Sequence, residues 1–187
     1  MKQNLVSEER VLQELKKSIA QSLRIDEDSI ESESSLVEDL GAESLDFLDI
    51  NYRVEQAFGI RMARHFVIEH VEEMFGEGSA IDDSGRLTER GAELLKIRLG
   101  NGGLIKAGLD LEQVTAMITV QSMARGIADI LDTLPETCSH CGKASWRSEE
   151  ARIRCGSCGK DAAFKNGDEL IQEWLTRVEE ERKIFSS

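Results

Sequence analysis

The chain of 187 residues sets 36 Asp and Glu against 23 Lys and Arg, a formal net charge of −13 at pH 7. An acidic molecule of this kind repels nucleic-acid phosphates and anionic lipid surfaces and attracts basic protein surfaces. A single proline and 5 % aromatic residues disfavour a loop-rich or all-β protein and leave the core to Leu, Ile and Val, so the expected class is mostly α.

The first helix is predicted from Ser7, a capping residue followed by Glu8 and Glu9 where the helix dipole favours negative charge. Val11, Leu12, Leu15, Ile19 and Leu23 give it one apolar stripe. A polar loop from Asp26 to about Glu38 follows, anchored by Ile30 and Leu36. A second helix is expected from Ser44 to about Phe58, with Leu45, Leu48 and Tyr52 on its inner face, Ile50, Val54 and Phe58 widening it, and Gly59 as the stop. Its charged residues, Asp46, Asp49, Arg53 and Glu55, are expected outside.

The spacing then predicts a helix over 62–75 with Phe66, Val67, Val71 and Met74 inward, and a loop over 76–85. Thr88 caps a helix to Leu99, with Leu87 stapled on Ala92 and Asn101-Gly102-Gly103 ending it. A short turn over 110–115 and a helix from Thr119 to Leu131 complete the pattern before Pro135. Beyond Asn166 a last amphipathic helix carries Leu170, Ile171, Trp174, Leu175 and Val178 on one stripe.

Between Ile25 and Tyr52 there is no Lys or Arg, while ten acids occur. Within that stretch the run Ser35-Leu36-Val37-Glu38-Asp39-Leu40-Gly41-Ala42-Glu43-Ser44-Leu45-Asp46 closely resembles the modification motif of acyl carrier proteins. The resemblance implies a 4′-phosphopantetheine arm on Ser44, attached by a phosphopantetheinyl transferase and loaded with acyl groups as thioesters. The family's usual Asp-Ser-Leu is here Glu-Ser-Leu. A serine at a helix N-terminus suits the role, because unpaired N–H groups and the helix dipole favour a phosphodiester there. The plainer reading of Ser44 alone is an N-cap. Following the family, Glu43, Asp46, Asp49 and Glu55 would meet the basic docking surfaces of acyl-transferring or acyl-modifying enzymes, mainly by steering encounter. Ile118-Thr119-Val120-Gln121 looks like the start of the family's fourth helix, and residues 110–115 like its short third. Residues 63–108 then form an insertion, expected to enlarge or lid the acyl cleft.

Cys138-Ser139-His140-Cys141-Gly142-Lys143 and Cys155-Gly156-Ser157-Cys158-Gly159-Lys160 are two copies of Cys-x-x-Cys-Gly-Lys. Four thiolates so spaced suit structural Zn²⁺ at Cys138, Cys141, Cys155 and Cys158, and the glycines tolerate the positive φ that turns N–H groups towards sulfur. Two short strands, 145–147 and 152–154, lie between, and the whole resembles a zinc ribbon. Iron is also chemically compatible with four thiolates. His140 stands inside a knuckle that already has both cysteines, so it is left out. Residues 138–165 hold six Lys or Arg and three acids. With Zn²⁺ and four thiolates at −2, about +1 remains, too little to track phosphates.

No run approaches the roughly 18 apolar residues of a membrane span, and the N-terminus has no apolar signal core. The expected location is the cytoplasm, without membrane insertion, where cysteines stay reduced unless metal-bound. His65 and His70 are five apart, about 140° around a helix, which does not place them on one face to hold a metal. No nucleophile–base–acid set is suggested by spacing. The expectation is therefore a monomeric, non-enzymatic carrier with no nucleic-acid partner. Its parts are a carrier-like helical bundle over 1–134 that includes the insertion, a ribbon over 135–166, and a terminal helix over 167–187. The competing reading is an unmodified acidic adaptor acting through protein contacts alone.

Overall fold

The computed structural model describes residues 3–99 and 104–186; the predicted stop at Asn101-Gly102-Gly103 lies outside the described residues. Among them are seven α-helices: α1 Glu8–Leu23, α2 Ser44–Phe58, α3 Val67–Phe75, α4 Glu89–Leu99, α5 Leu111–Thr115, α6 Val120–Leu131 and α7 Gly167–Arg182. The strands β1 Trp146–Glu149 and β2 Arg152–Cys155 form one antiparallel pair. No described helix is long and apolar enough to cross a membrane.

The chain divides into two compact units, Met1–Met62 with Ile118–Gly167 and Ala63–Met117 with Asp168–Ser187. This grouping differs from the division read from sequence. The cysteine hairpin falls in the same unit as α1, α2 and α6, the short α5 groups with the inserted segment, and the last helix joins that segment too.

In the first unit, α1 packs against both α2 and α6. Ser7 caps α1 by accepting the Arg10 N–H, and Thr119 caps α6 by accepting the Ser122 N–H at 3.1 Å. Val11, Leu15 and Ile19 meet a core completed by Ile50, Val54, Phe58, Val120, Ile127 and Leu131, all buried. Ile30 and Leu36 anchor the long loop as expected. That loop is held by its backbone: Leu36 donates to the Ile118 carbonyl, Val120 to Ser34, and Gln121 to Ser32. The inner face of α2 is not the expected one. Leu45, Leu48 and Tyr52 are exposed at 78 %, 59 % and 59 %, while Ile50, Val54 and Phe58 carry the packing. Leu48 and Ile50 lie about 200° apart on a helix, so the two stripes cannot share a face.

The hairpin is fastened to the helices of its own unit. The Arg152 guanidinium donates to the Gln56 carbonyl near the end of α2, and the Trp146 indole donates to the Pro135 carbonyl at 2.7 Å. The first strand begins one residue later than the pattern showed and runs two further, to Glu149, while the second runs one further, to Cys155; Trp146 stands opposite Cys155 and Glu149 opposite Arg152.

The second unit has its own core. Ile68 and Val71 of α3, Leu94 and Leu95 of α4, Ile105, Leu109, and Leu175 and Val178 of α7 are buried together. Phe75 stacks on Phe185 with ring centres 4.5 Å apart. The apolar stripe of α7 was legible, and its partner is the inserted segment. The third helix is shorter than predicted, beginning at Val67 with Phe66 as its cap residue. The reason is local: Glu55 takes the Met62 N–H and Asp168 takes those of Arg64 and His65, so these amides are engaged outside a helix. Phe66 and Met74 consequently face out, and Ile68 and His70 turn in.

Helix α4 approaches its preceding loop closely. Thr88 caps it, accepting from Gly91 at 3.0 Å, and Thr88 itself donates to the Ala80 and Ser79 carbonyls. A Cβ on Gly91 would stand 2.5 Å from the Ala80 oxygen and 2.9 Å from Leu87 Cδ1. Gly91→Ala is therefore expected to destabilise the second unit by about 1–3 kcal/mol, although alanine is the better helix former. Urea unfolding followed by amide exchange in α4 measures it; equal or greater stability would contradict the packing described.

Candidate functional site

Ser44 occupies the first turn of α2 and is exposed. The cap position belongs to Glu43, whose own N–H donates to Asp46 Oδ2 at 2.8 Å. The helix start thus does not require Ser44 as a cap, and its hydroxyl lies at the positive end of a 15-residue helix. The approach to it is rigid. Ser35 gathers the turn: its N–H donates to Asp39 Oδ2, its carbonyl accepts from Asp39 and Leu40, and its hydroxyl accepts from Glu38. Gly41 sits at φ 71°, a conformation that suits glycine, and buried Ala42 closes the loop by donating to Leu36.

The four acids predicted to dock partners have different surroundings. Glu43 is exposed, and Asp46 is half-buried and holds the Glu43 amide. Asp49 is half-buried and ion-paired with Arg53 at 2.7 Å. The Arg53 guanidinium, and then the Ser22 hydroxyl, hold the Asp49 carboxyl below the usual carboxylate range. Arg53 also reaches Gln21 of α1. Glu55 corrects the expectation: it is 7 % exposed and accepts the Met62 N–H at 2.9 Å, because the reversal at Gly59 brings residue 62 back over it. It fixes the chain after α2 and is not presented to a partner.

Sequence reasoning put Leu45, Leu48 and Tyr52 in the core, and so missed the apolar stripe they expose beside Ser44. Their helical spacing was visible, but period alone does not say which of two stripes faces inward. A groove of about 430 Å³ lies between α1 and α6, lined by Glu8, Glu9, Val11, Leu12, Gln121, Ala124, Arg125 and Ala128. Its charged rim and the absence of Ser44 from its walls separate it from an acyl cleft at the serine.

The four cysteines converge. Cys138 and Cys158 sulfurs are 3.7 Å apart, those of Cys141 and Cys155 are 3.6 Å apart, and all four lie within 4.8 Å of one another. The two knuckles repeat each other bond for bond. Cys138 N–H donates to Lys143 and Gly142 to Cys138; Cys155 donates to Lys160 and Gly159 to Cys155. Gly142 and Gly159 take φ of 71° and 74°, as the turn requires.

Burial works against the Cys155 thiolate, but N–H groups of Cys158 and Ser157 and the neighbouring sulfurs outweigh it and draw the thiol down to about 6. The Lys160 N–H favours the Cys158 thiolate, yet burial and the other three sulfurs push that thiol up to about 11. Four thiolates this close need a cation to ionise together. A tetrahedron of sulfurs about 2.3 Å from Zn²⁺ has edges of about 3.8 Å, so the donor set fits such an ion. Around the hairpin, Arg147, Arg152 and Arg154 are paired with Glu149 or Asp161, two of the three acids set against them in the sequence count.

Three further metal-ligating groups come together in the second unit, contrary to the helical argument from sequence. His65 precedes α3, so the angle of about 140° does not apply, and Asp168 joins it and His70 from nearly a hundred residues away.

The family pattern described as "Phosphopantetheine attachment site" matches residues 13–72, which contain Ser44 and its loop. The acyl carrier protein AcpXL of Brucella melitensis is 50 % identical over 44 residues, 24 % of this chain and 47 % of that protein. The acyl carrier protein of Thermotoga maritima is 34 % identical over 58 residues, 31 % of this chain and 72 % of the relative. That of Coprothermobacter proteolyticus is 40 % identical over 55 residues, 29 % and 67 %. The chain spans about half the length of the first of these relatives. No solved structure matches the chain. A relative more than 30 % identical, matched over more than two thirds of its length, places this chain in the acyl carrier protein family.

Proposed function

We propose that the chain is an acyl carrier that bears 4′-phosphopantetheine on Ser44 Oγ and presents acyl groups to biosynthetic enzymes. The observation that carries the reading is an exposed serine at the first turn of α2, inside the matched segment, with capping handled by Glu43. When bound, the arm supplies a terminal thiol that holds an acyl group as a thioester. The protein's part is to expose the hydroxyl, hold it on a stiff loop, and set the helix N-terminus against the phosphodiester. By sequence order α1, α2, α5 and α6 correspond to the family's four helices, with residues 63–108 inserted. The exposed stripe Leu45, Leu48 and Tyr52, edged by Glu43, Asp46 and Asp49, suits enzymes with a basic rim around an apolar contact. The transferase and the acyl-handling enzymes are the partners this surface serves, in the cytoplasm, with the carrier itself doing no catalysis.

The four cysteines are read as the ligands of one structural Zn²⁺, closed to substrate because the protein supplies all four donors. Its role is to hold the hairpin that Arg152 fastens to α2.

Intact mass after coexpression with a phosphopantetheinyl transferase tests the carrier reading. A gain of one arm per chain is expected. No gain with any transferase tried, from a folded protein, would favour the adaptor.

A further inference from the structure

The second unit holds a cluster that the carrier function does not use. One ring nitrogen of His65, one of His70 and a carboxylate oxygen of Asp168 all lie within 4.8 Å of one another. We propose that His65, His70 and Asp168 bind one zinc-class divalent ion, which ties the start of the inserted segment to the last helix.

The geometry fits ligation. His70 Nε2 and Asp168 Oδ1 are 2.9 Å apart. Donors about 2.0–2.1 Å from one ion are separated by about 2.9–3.4 Å as their angle opens from a right angle to tetrahedral. The rings of His65 and His70 stand edge to face with centres 5.7 Å apart. Two imidazoles on one tetrahedral ion place their centres a little over about 5 Å apart, since each centre lies about 3.2 Å from the metal.

The surroundings point the same way. The His70 side chain is buried, and its Nδ1 has no hydrogen-bond partner. That atom lies 3.7 Å from Glu73 Oε2, on the next turn of α3. A histidine that ligates through one nitrogen characteristically offers the other to a carboxylate, which fixes the tautomer. Asp168 is oriented too, accepting N–H groups from Arg64 and His65. An imidazole pair with one carboxylate suits Zn²⁺ better than Ca²⁺ or Mg²⁺, which favour all-oxygen sites. Three protein ligands leave a fourth position for water, and the exposure of His65 gives an ion access from solvent. The helix dipole at the start of α7 opposes the cation, and the Asp168 charge offsets it.

The site is independent of the cysteine cluster, so the two claims can fail separately. The test is a Zn²⁺ titration of the reduced, metal-free 187-residue chain against a chromophoric competitor. Two equivalents are expected. His65→Ala, at an exposed position, and Asp168→Asn, of equal size, should each weaken one equivalent at least tenfold and leave the other unchanged. Cys141→Ser should remove the other equivalent. A single equivalent in the unaltered chain, or a second that His65→Ala leaves untouched, overturns the proposal: the first result would make the His70–Asp168 contact a plain hydrogen bond, the second would place the ion elsewhere.

Discussion

Ser44→Ala is expected to abolish loading by a phosphopantetheinyl transferase while leaving the fold intact. The variant removes the only atom through which the arm can be joined at this position. It removes little else, because Ser44 is exposed and the cap belongs to Glu43 and Asp46. Alanine is at least as good a helix former as serine, so the stability change should stay within about 0.5 kcal/mol. Loading followed by intact mass, with thermal unfolding as the control, separates the chemical effect from a structural one. A variant loaded as well as the unaltered chain would put the attachment at another residue.

The second large effect is expected from Cys138→Ser. Cys138 is 2 % exposed and its sulfur is 3.7 Å from that of Cys158, so the hydroxyl would leave three thiolates around an incomplete centre. One equivalent of bound zinc should be lost. The hairpin between the knuckles has only four-residue strands and few apolar side chains, so its order is expected to fall with the loss of the proposed metal. Through the Arg152 bond to Gln56 the loss reaches the end of α2. The cost to the first unit should be about 4 kcal/mol or more, because loss of a bound metal is among the few mechanisms behind the largest single-residue effects. Metal analysis together with amide exchange in β1 and β2 measures both. An unchanged zinc content would remove Cys138 from the ligand set.

Local features of this fold were legible in the sequence because their causes are local. Ser7, Thr88 and Thr119 cap the helices they were expected to cap, and Gly59 ends α2 in the left-handed conformation. The repeated Cys-x-x-Cys-Gly-Lys announced both knuckles, down to the positive φ of Gly142 and Gly159.

What the sequence did not disclose depended on distant chain. Helix α2 carries two apolar stripes, and only packing against α1 decides that Ile50, Val54 and Phe58 face inward while Leu45, Leu48 and Tyr52 remain outside. Glu55 borders the buried stripe, and the turn at Gly59 converts it from a surface acid into a backbone ligand. The stripe of α7 gave no sign that Leu175 and Val178 would meet the inserted segment. The His70–Asp168 contact spans 98 residues, beyond the reach of any helical period.

The central claim is that Ser44 carries the arm. Peptide mapping of the loaded protein tests it most directly: digestion should yield a fragment containing Ser44 that bears one 4′-phosphopantetheine, with fragmentation placing it on that residue. An unmodified Ser44 fragment from a loaded sample, with the arm on Ser34, Ser35 or elsewhere, would contradict the claim.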